Sequence, residues 1–442
     1  MTRRGGDDTT ANGRDRGREH GDSSGVGRRW FLRSSGAAAG AALLAGCSSS
    51  GSGGNGSDGN ASGANGSGNS SAGNGSSGNG TGGNDNATGG NTTGNATASG
   101  PLGVESFRGS GPLVESRPPL DGTRIAELPD LSGTLSIYLG GGEGGLYTEF
   151  LDLLGRMYPD FNVELRTASS AQLANTLITE VNSGSANADV FWAVDVGALG
   201  VVADNDATVE LPSEVVKPVP ESFRPGNQWV GVAGRARSVP FNTDTLSADQ
   251  IPNKVQKFTD ANPLEGSMGW APTYGSFQSF ITAMRLLRGE QGTKQWLQSM
   301  TQQGISEYPD EFLVSNAVAD GELAAGFANH YYALRVKAAR PDAPIELAFT
   351  KGDAGALVNA AGVEVIKGTQ RRELANNFVR HLLTAEAQEF FATRTFAYPM
   401  IPGVPPVGGL PTIDELNPPQ LDLAKLSNLE PTLTLMREVG VL

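Results

Sequence analysis

Two tyrosines stand side by side at Tyr331 and Tyr332, and a third, Tyr274, sits in the turn Pro272-Thr273-Tyr274-Gly275-Ser276. A phenol ordinarily ionises only near pH ~10. As a phenolate it is an anionic oxygen donor of the kind a hard, highly charged cation favours, and metal binding drives the ionisation and releases protons. Adjacent side chains in one extended strand face opposite ways, but where a strand turns into a helix, neighbours can converge. Tyr331 and Tyr332 occupy such a junction. Leu323 to Ala328 reads as a strand, Asn329 and His330 open the turn, and a helix follows through Ala339. A bare tyrosine pair reads first as two half-buried aromatics packed at a domain edge. Tyr274 feeds a helix whose free N–H groups attract anions; the competing reading makes Ser276 a simple N-cap and Tyr274 a surface aromatic.

The lone cysteine, Cys47, marks a place. Before it run Arg28-Arg29-Trp30-Phe31-Leu32-Arg33 and the apolar stretch Ala37 to Gly46. A charged start, a short apolar run and small residues describe a secretory signal, too short to span a bilayer that takes ~20 residues. The paired arginines fit a twin-arginine export address. Leu44-Ala45-Gly46-Cys47 resembles a lipobox, which makes Cys47 the lipidated first residue of the mature chain and residues 1–46 the signal. With one cysteine there is no disulfide framework.

The full chain carries 33 Lys+Arg against 47 Asp+Glu. The first 46 residues hold 8 arginines and 5 acids, which leaves 25 against 42 and a formal charge of −17. That balance argues against nucleic acid, whose binding rests on neutralised phosphates, and against a basic patch on anionic lipid. Residues 48–100 are almost wholly Gly, Ser, Asn, Ala and Thr with no large apolar residue, so they read as a disordered tether. Nine Asn-x-Ser/Thr sequons between Asn55 and Asn95 make N-glycosylation an expectation in an exported chain; chance combination in such a composition is the competing source. A chain of this length reaches roughly 40 Å, from 5–6 Å × √n. The prolines of 101–130 read as the end of this linker, so 47–130 is the tether.

The remaining 312 residues suggest two lobes around separate cores. Residues 134–139 read as a strand, 146–157 as a helix, 161–166 as a strand, 171–182 as a helix and 189–194 as a buried strand. This order implies βαβ units and a mostly parallel sheet, with ligands beyond the carboxyl ends of strands. Further strands are read at 237–242, 323–328 and 362–366, and helices at 277–288, 371–383 and 385–393. The glycine cluster at 140–142 and 144–145 lacks the spacing of a dinucleotide fingerprint and is read as a place where a ligand or the other lobe comes close.

With these segments placed, the chain from about 131 to 405 resembles the extracellular solute-binding proteins of ABC importers, more narrowly their ferric-ion-binding branch. The resemblance is carried by Ala188-Asp189-Val190-Phe191-Trp192, by Arg235-Ala236-Arg237 ahead of Phe241-Asn242, by Trp270 to Phe277, by Asp320-Gly321-Glu322-Leu323 running on to Asn329-His330-Tyr331-Tyr332, and by Tyr398-Pro399. It implies an α/β fold of two lobes, the type 2 periplasmic-binding-protein architecture, with a cleft between mostly parallel sheets flanked by helices. Lobe 1 would comprise 131–238 plus 355–400, and lobe 2 would comprise 239–354 plus 401–442, with hinge crossings near 238–242 and 350–362. It also implies Fe(III) as the metal, Tyr331, Tyr332 and Tyr274 as its ligands, a synergistic anion, and an ABC permease as partner of a monomeric receptor. Gly275, Ser276, Asn329, Glu143 and Asp195 are the expected anion or secondary contacts. Two positions depart from the family pattern. Glycines stand where some members place a histidine after the first strand, with only Glu143 nearby, and Asp195 is one place off a glutamate used by others. Tyr138 and Tyr147 are further candidates from lobe 1; His330 need not face the metal, and His381 reads as structural.

No nucleophile elbow, phosphate-binding glycine motif or histidine-rich zinc pattern points to an enzyme. Two other readings stand beside capture of Fe(III) or a small Fe(III) chelate at the outer face of the membrane. The same scaffold would bind a polyamine, thiamine or a phosphonate if Trp192 and Trp270 walled the cleft. A glycosylated, non-transporting surface protein would bind no tight small ligand.

Overall fold

A computed structural model describes residues 102–141 and 144–442. The signal, Cys47, the Gly/Ser/Asn tract and Glu143 lie outside the described residues. Among the described residues no helix is long and apolar enough to cross a membrane. The chain runs through α1 (Val104–Phe107), β1 (Gly133–Gly140), α2 (Gly144–Met157), β2 (Phe161–Ala168), α3 (Ser170–Asn182), β3 (Val190–Ala193), α4 (Val196–Asp204), β4 (Thr208–Val209), α5 (Ser213–Val216) and β5 (Val230–Asn242). It continues through β6 (Met268–Trp270), α6 (Gly275–Gln302), β7 (Ser306–Glu307), α7 (Glu311–Ala319), β8 (Ala325–Gly326), β9 (Ala328–Asn329), α8 (His330–Ala339) and β10 (Ile345–Ala348). It ends with β11 (Val358–Ile366), α9 (Arg372–Leu382), α10 (Ala385–Arg394), α11 (Ile413–Leu416) and α12 (Glu430–Glu438).

Eight strands follow one path, β2-β1-β3-β11-β5-β8-β6-β7, while β4 pairs with β11, and β9 and β10 pair with β5. Pairing is parallel in β2-β1-β3 and in β8-β6-β7, and antiparallel wherever β5 and β11 join. The thirteen residues of β5 belong to both halves. Val230 to Ala236 pair with β11, and Val239 to Asn242 pair with β10. The chain leaves lobe 1 along β5 and returns between β10 and β11. Central strands buried on both faces read as continuous apolar runs; all four residues of β3 are buried, which is why Val-Phe-Trp-Ala shows no alternation.

Each lobe has an aromatic core. In lobe 1 Tyr147 stacks on Trp192 at 4.8 Å between ring centroids, with Phe391 edge-on to Tyr147 at 5.4 Å. In lobe 2 Trp270 meets Phe277 edge-on at 5.4 Å. Gly140 serves lobe 1 itself. A Cβ there would collide with Ser170 Oγ and sit 3.0 Å from Val194 N, so this glycine lets the end of β1 close on α3 and β3.

Residues 102–130 differ from the expected linker, for they form a strap on lobe 1. Phe107 is fully buried, 6.0 Å from Phe150, and Val114 and Ile125 are buried too. Glu389 of α10, itself fully buried, accepts from Arg108 Nε at 2.6 Å and from Arg117 Nη2 at 2.6 Å. Arg117 Nη2 also donates to Pro405 O at 2.6 Å. The prolines read as a linker because they break helix and strand, but an extended segment with apolar residues spaced along it can bury them without either.

The tail also differs from the expected assignment of 401–442 to lobe 2. Residues 423–427 lie on α4 of lobe 1, so closely that a Cβ on Gly200 would overlap Ala424. Helix α12 lies on α6 of lobe 2, where Thr432 Oγ1 meets Thr282 Oγ1 at 2.9 Å.

Candidate metal centre

The chain turns from β9 into α8 at Asn329, which keeps extended backbone (φ −71°, ψ 142°) ahead of the first helical residue. Tyr331 and Tyr332 thereby enter the first turn of a helix, and their ring centroids are 4.3 Å apart. Both are nearly buried. Tyr274 holds the equivalent place before α6, with extended backbone (φ −85°, ψ 133°). Its hydroxyl meets that of Tyr332 in a hydrogen bond, and the two rings lie edge to face at 6.2 Å. Three phenols from two segments 58 residues apart converge on one place.

Positive charge and donors surround them. The Arg335 guanidinium lies 4.9 Å from the Tyr331 ring centroid and 5.5 Å from that of Tyr332, a cation–π contact with both rings. Asn329 Nδ2 donates to Tyr331 Oη at 3.4 Å. Behind them Glu311 is fully buried. It accepts from the Asn329 N–H at 2.8 Å and forms an ion pair with Arg237 of β5. Arg237 Nη1 also reaches Asn329 Oδ1 at 3.3 Å and Ser276 Oγ at 3.4 Å. Among the described residues no group of three or more His, Cys, Asp or Glu gathers as a metal shell.

Beside the phenols lies a cavity of about 460 Å³ between the lobes. Arg235, Arg237 and Asn359 border it from the hinge strands, Gly275, Ser276 and Asn329 from lobe 2, and Asp195 from lobe 1. Asp195 is the N-cap of α4, its carboxylate accepting from Ala198 N at 2.9 Å. Arg235 donates to Val194 O. The signal of Arg235 and Arg237 in the sequence is two charges at i and i+2 in a strand whose other residues are buried. Glu311, Asn359 and Arg335 carried no local signal.

Other candidates sit elsewhere. His330 lies edge-on to Tyr331 at 5.6 Å between ring centroids, but both its nitrogens are committed to backbone: Nε2 donates to Phe396 O at 2.8 Å and Nδ1 accepts from Ala236 N at 3.2 Å. Burial lowers its pKa to about 4, so it is neutral. His381 meets Tyr158 Oη at 3.0 Å in lobe 1, and burial lowers it to about 4 as well. Tyr138 donates to Glu180 at 2.8 Å and accepts from Arg166 at 3.0 Å, while Tyr147 is in the lobe 1 core. Trp192 and Trp270, the expected walls for an organic solute, are both buried in lobe cores.

A family model described as bacterial extracellular solute-binding protein matches residues 151–415. The major ferric iron-binding protein of Neisseria meningitidis serogroup B is 29% identical over 288 residues, covering 63% of this chain and 85% of its own. The Fe(3+)-binding periplasmic protein of Serratia marcescens is 29% identical over 288 residues, covering 63% and 83%. Among solved structures, iron-bound HitA from Pseudomonas aeruginosa superposes with a TM-score of 0.59 at 27% identity, covering 70% of this chain and 99% of that one.

Proposed function

We propose that this chain, which belongs to the bacterial extracellular solute-binding protein family, captures Fe(III) or a small Fe(III) chelate outside the membrane and delivers it to an ABC permease. The observation that carries this reading is the meeting of Tyr274, Tyr331 and Tyr332, in a protein similar to Fe(3+)-binding proteins. Three phenolates offer a hard trivalent cation matching charge as well as oxygen ligands. Each must shed its proton as the metal enters, so binding weakens as pH falls. Arg335 helps to hold the developing negative charge. Gly275, Ser276 and Asn329 contact an accompanying anion at the N-terminus of α6, and Asp195 borders the same cavity from lobe 1; Glu143 is kept as a secondary contact on the family resemblance alone.

Because β5 runs through both lobes and the chain returns to lobe 1 just ahead of β11, a hinge motion about these crossings closes lobe 1 over the phenols, and the closed state is the one a permease would read. Lipidation of Cys47 anchors the monomeric receptor to the outer face of the membrane, and the glycosylated tract carries it. Purified protein titrated with ferric citrate should turn orange to purple through phenolate-to-iron charge transfer. A colourless titration, or a band of unchanged strength in the Tyr331→Phe/Tyr332→Phe protein, would contradict the reading.

A further inference from the structure

We infer that the interlobe cavity is built for an aliphatic 2-hydroxy monocarboxylate, so that iron is carried as its chelate with an organic acid. The part concerning iron rests on the proposed function; the carboxylate site stands on the cavity itself.

The head group is specified by Arg237. Its guanidinium is buried and borders the cavity. Nη1 is committed to Glu311, Asn329 and Ser276, whereas Nη2 is buried and has no partner. A planar guanidinium edge matches a planar carboxylate. Arg235, two residues earlier on β5, lies on the same face of the strand and borders the same space. Gly275 and Ser276, at the N-terminus of the long helix α6, border it as well.

The charge count favours the ligand that adds the least negative charge, a single carboxylate. Asp195 borders the cavity, and Glu311 backs Arg237, so two arginines are set against two acids. A phosphate dianion or a tricarboxylate would add two or three charges to a lining that is already balanced. Beyond the polar Asn175, Ser279, Asn359 and Ser427, the remaining lining is apolar and includes Ala174 and Val201 from lobe 1, Leu357 from the hinge, and Leu426 and Leu429 from the tail. An inorganic anion gains nothing from that wall, and about 460 Å³ falls in the ~300–1,000 Å³ range of pockets for organic ligands. A 2-hydroxyl adjoins the iron because the carboxylate end is next to the phenols. Asn329 borders the cavity and donates to Tyr331 Oη at 3.4 Å, and Gly275 directly follows Tyr274. Carboxylate and 2-hydroxyl together chelate Fe(III).

The test begins with metal-free, full-length mature protein and calorimetric titration of lactate, 2-hydroxybutanoate and 2-hydroxy-4-methylpentanoate, with phosphate and bicarbonate in parallel. Affinity should rise about fourfold per added methylene, and Arg237→Met should lower it at least tenfold. The wild-type chain-length series keeps the test valid if that variant does not fold. A flat series, phosphate or bicarbonate binding as tightly as the longest acid, or no binding of any acid would overturn the inference. In the second arm Fe(III) is added, and the longest acid should shift the charge-transfer band. Colour without any acid binding defeats this inference and leaves ferric capture standing; acid binding with no colour at any iron concentration defeats ferric capture and leaves the carboxylate site.

Discussion

Replacing Glu389 by alanine should loosen the strap of residues 102–130 from lobe 1. The Glu389 carboxylate is fully buried and holds two guanidinium groups. Arg117 Nε lies 3.1 Å from both carboxylate oxygens and Nη2 lies 2.6 Å from one; Arg108 Nε lies 2.6 Å from the other. The Arg117 side chain is 4% exposed and that of Arg108 is 18% exposed, so removing the carboxylate strands one buried cation and one partly buried cation. Breaking one side of a buried pair costs about 3–5 kcal/mol. A folded body of about 340 residues has an unfolding entropy near 0.7 kcal/mol/K, from ~2.1 cal/mol/K per residue. The melting midpoint of a single transition should therefore fall by about 4–7 °C, and by more if lobe 1 melts alone. Calorimetry of the mature chain reads this shift. Limited proteolysis should show new cleavage between 102 and 130 ahead of any cut in the lobes. A midpoint within about 1 °C of wild type, a change of ~0.7 kcal/mol, with an uncleaved strap would refute the claim that Glu389 staples it.

Three titrating groups in the cores give further expectations. Burial pushes the fully buried Glu364 carboxyl, which has no partner, well above the usual carboxylate range. The folded state then holds a proton that the unfolded state releases above pH ~4.3. Stability is lost with rising pH at about 1.4 kcal/mol per unit between the unfolded and folded values, and Glu364→Gln should gain progressively on wild type as pH rises above ~4.3 in urea unfolding; a constant gap would refute this. His330 and His381 act oppositely. Their folded-state values lie near 4, below the ordinary ~6.5, so their contribution is intact above pH ~6.5 and lost as pH falls towards 4. His381→Gln should flatten that acid slope in equilibrium unfolding, and a slope equal to wild type would show that the imidazole is not held neutral.

Much of the fold was legible because its signals are local. The apolar run Val190 to Ala193, the amphipathic helices and the order of strands and helices are readable within short windows. The junctions at Tyr274 and Asn329 were readable for the same reason, since each is a strand giving way to a helix. The strap was not, because its prolines are a local signal and the burial of Phe107 and Arg117 depends on Glu389, more than 270 residues away. The arginines of the cavity were visible as charges in a buried strand, but their purpose depends on Glu311 and Ser276, brought together only by the fold. The tail was assigned as one piece because a sequence window does not show that residues 423–427 lie on α4 while α12 lies on α6.

The visible spectrum of the mature protein during Fe(III) titration tests the central claim most directly. The account predicts a phenolate-to-iron band that saturates at one iron per chain, weakens as the solution is acidified, and is lost in the Tyr331→Phe/Tyr332→Phe protein. Absence of a band, or a band that survives loss of both phenols, would contradict it.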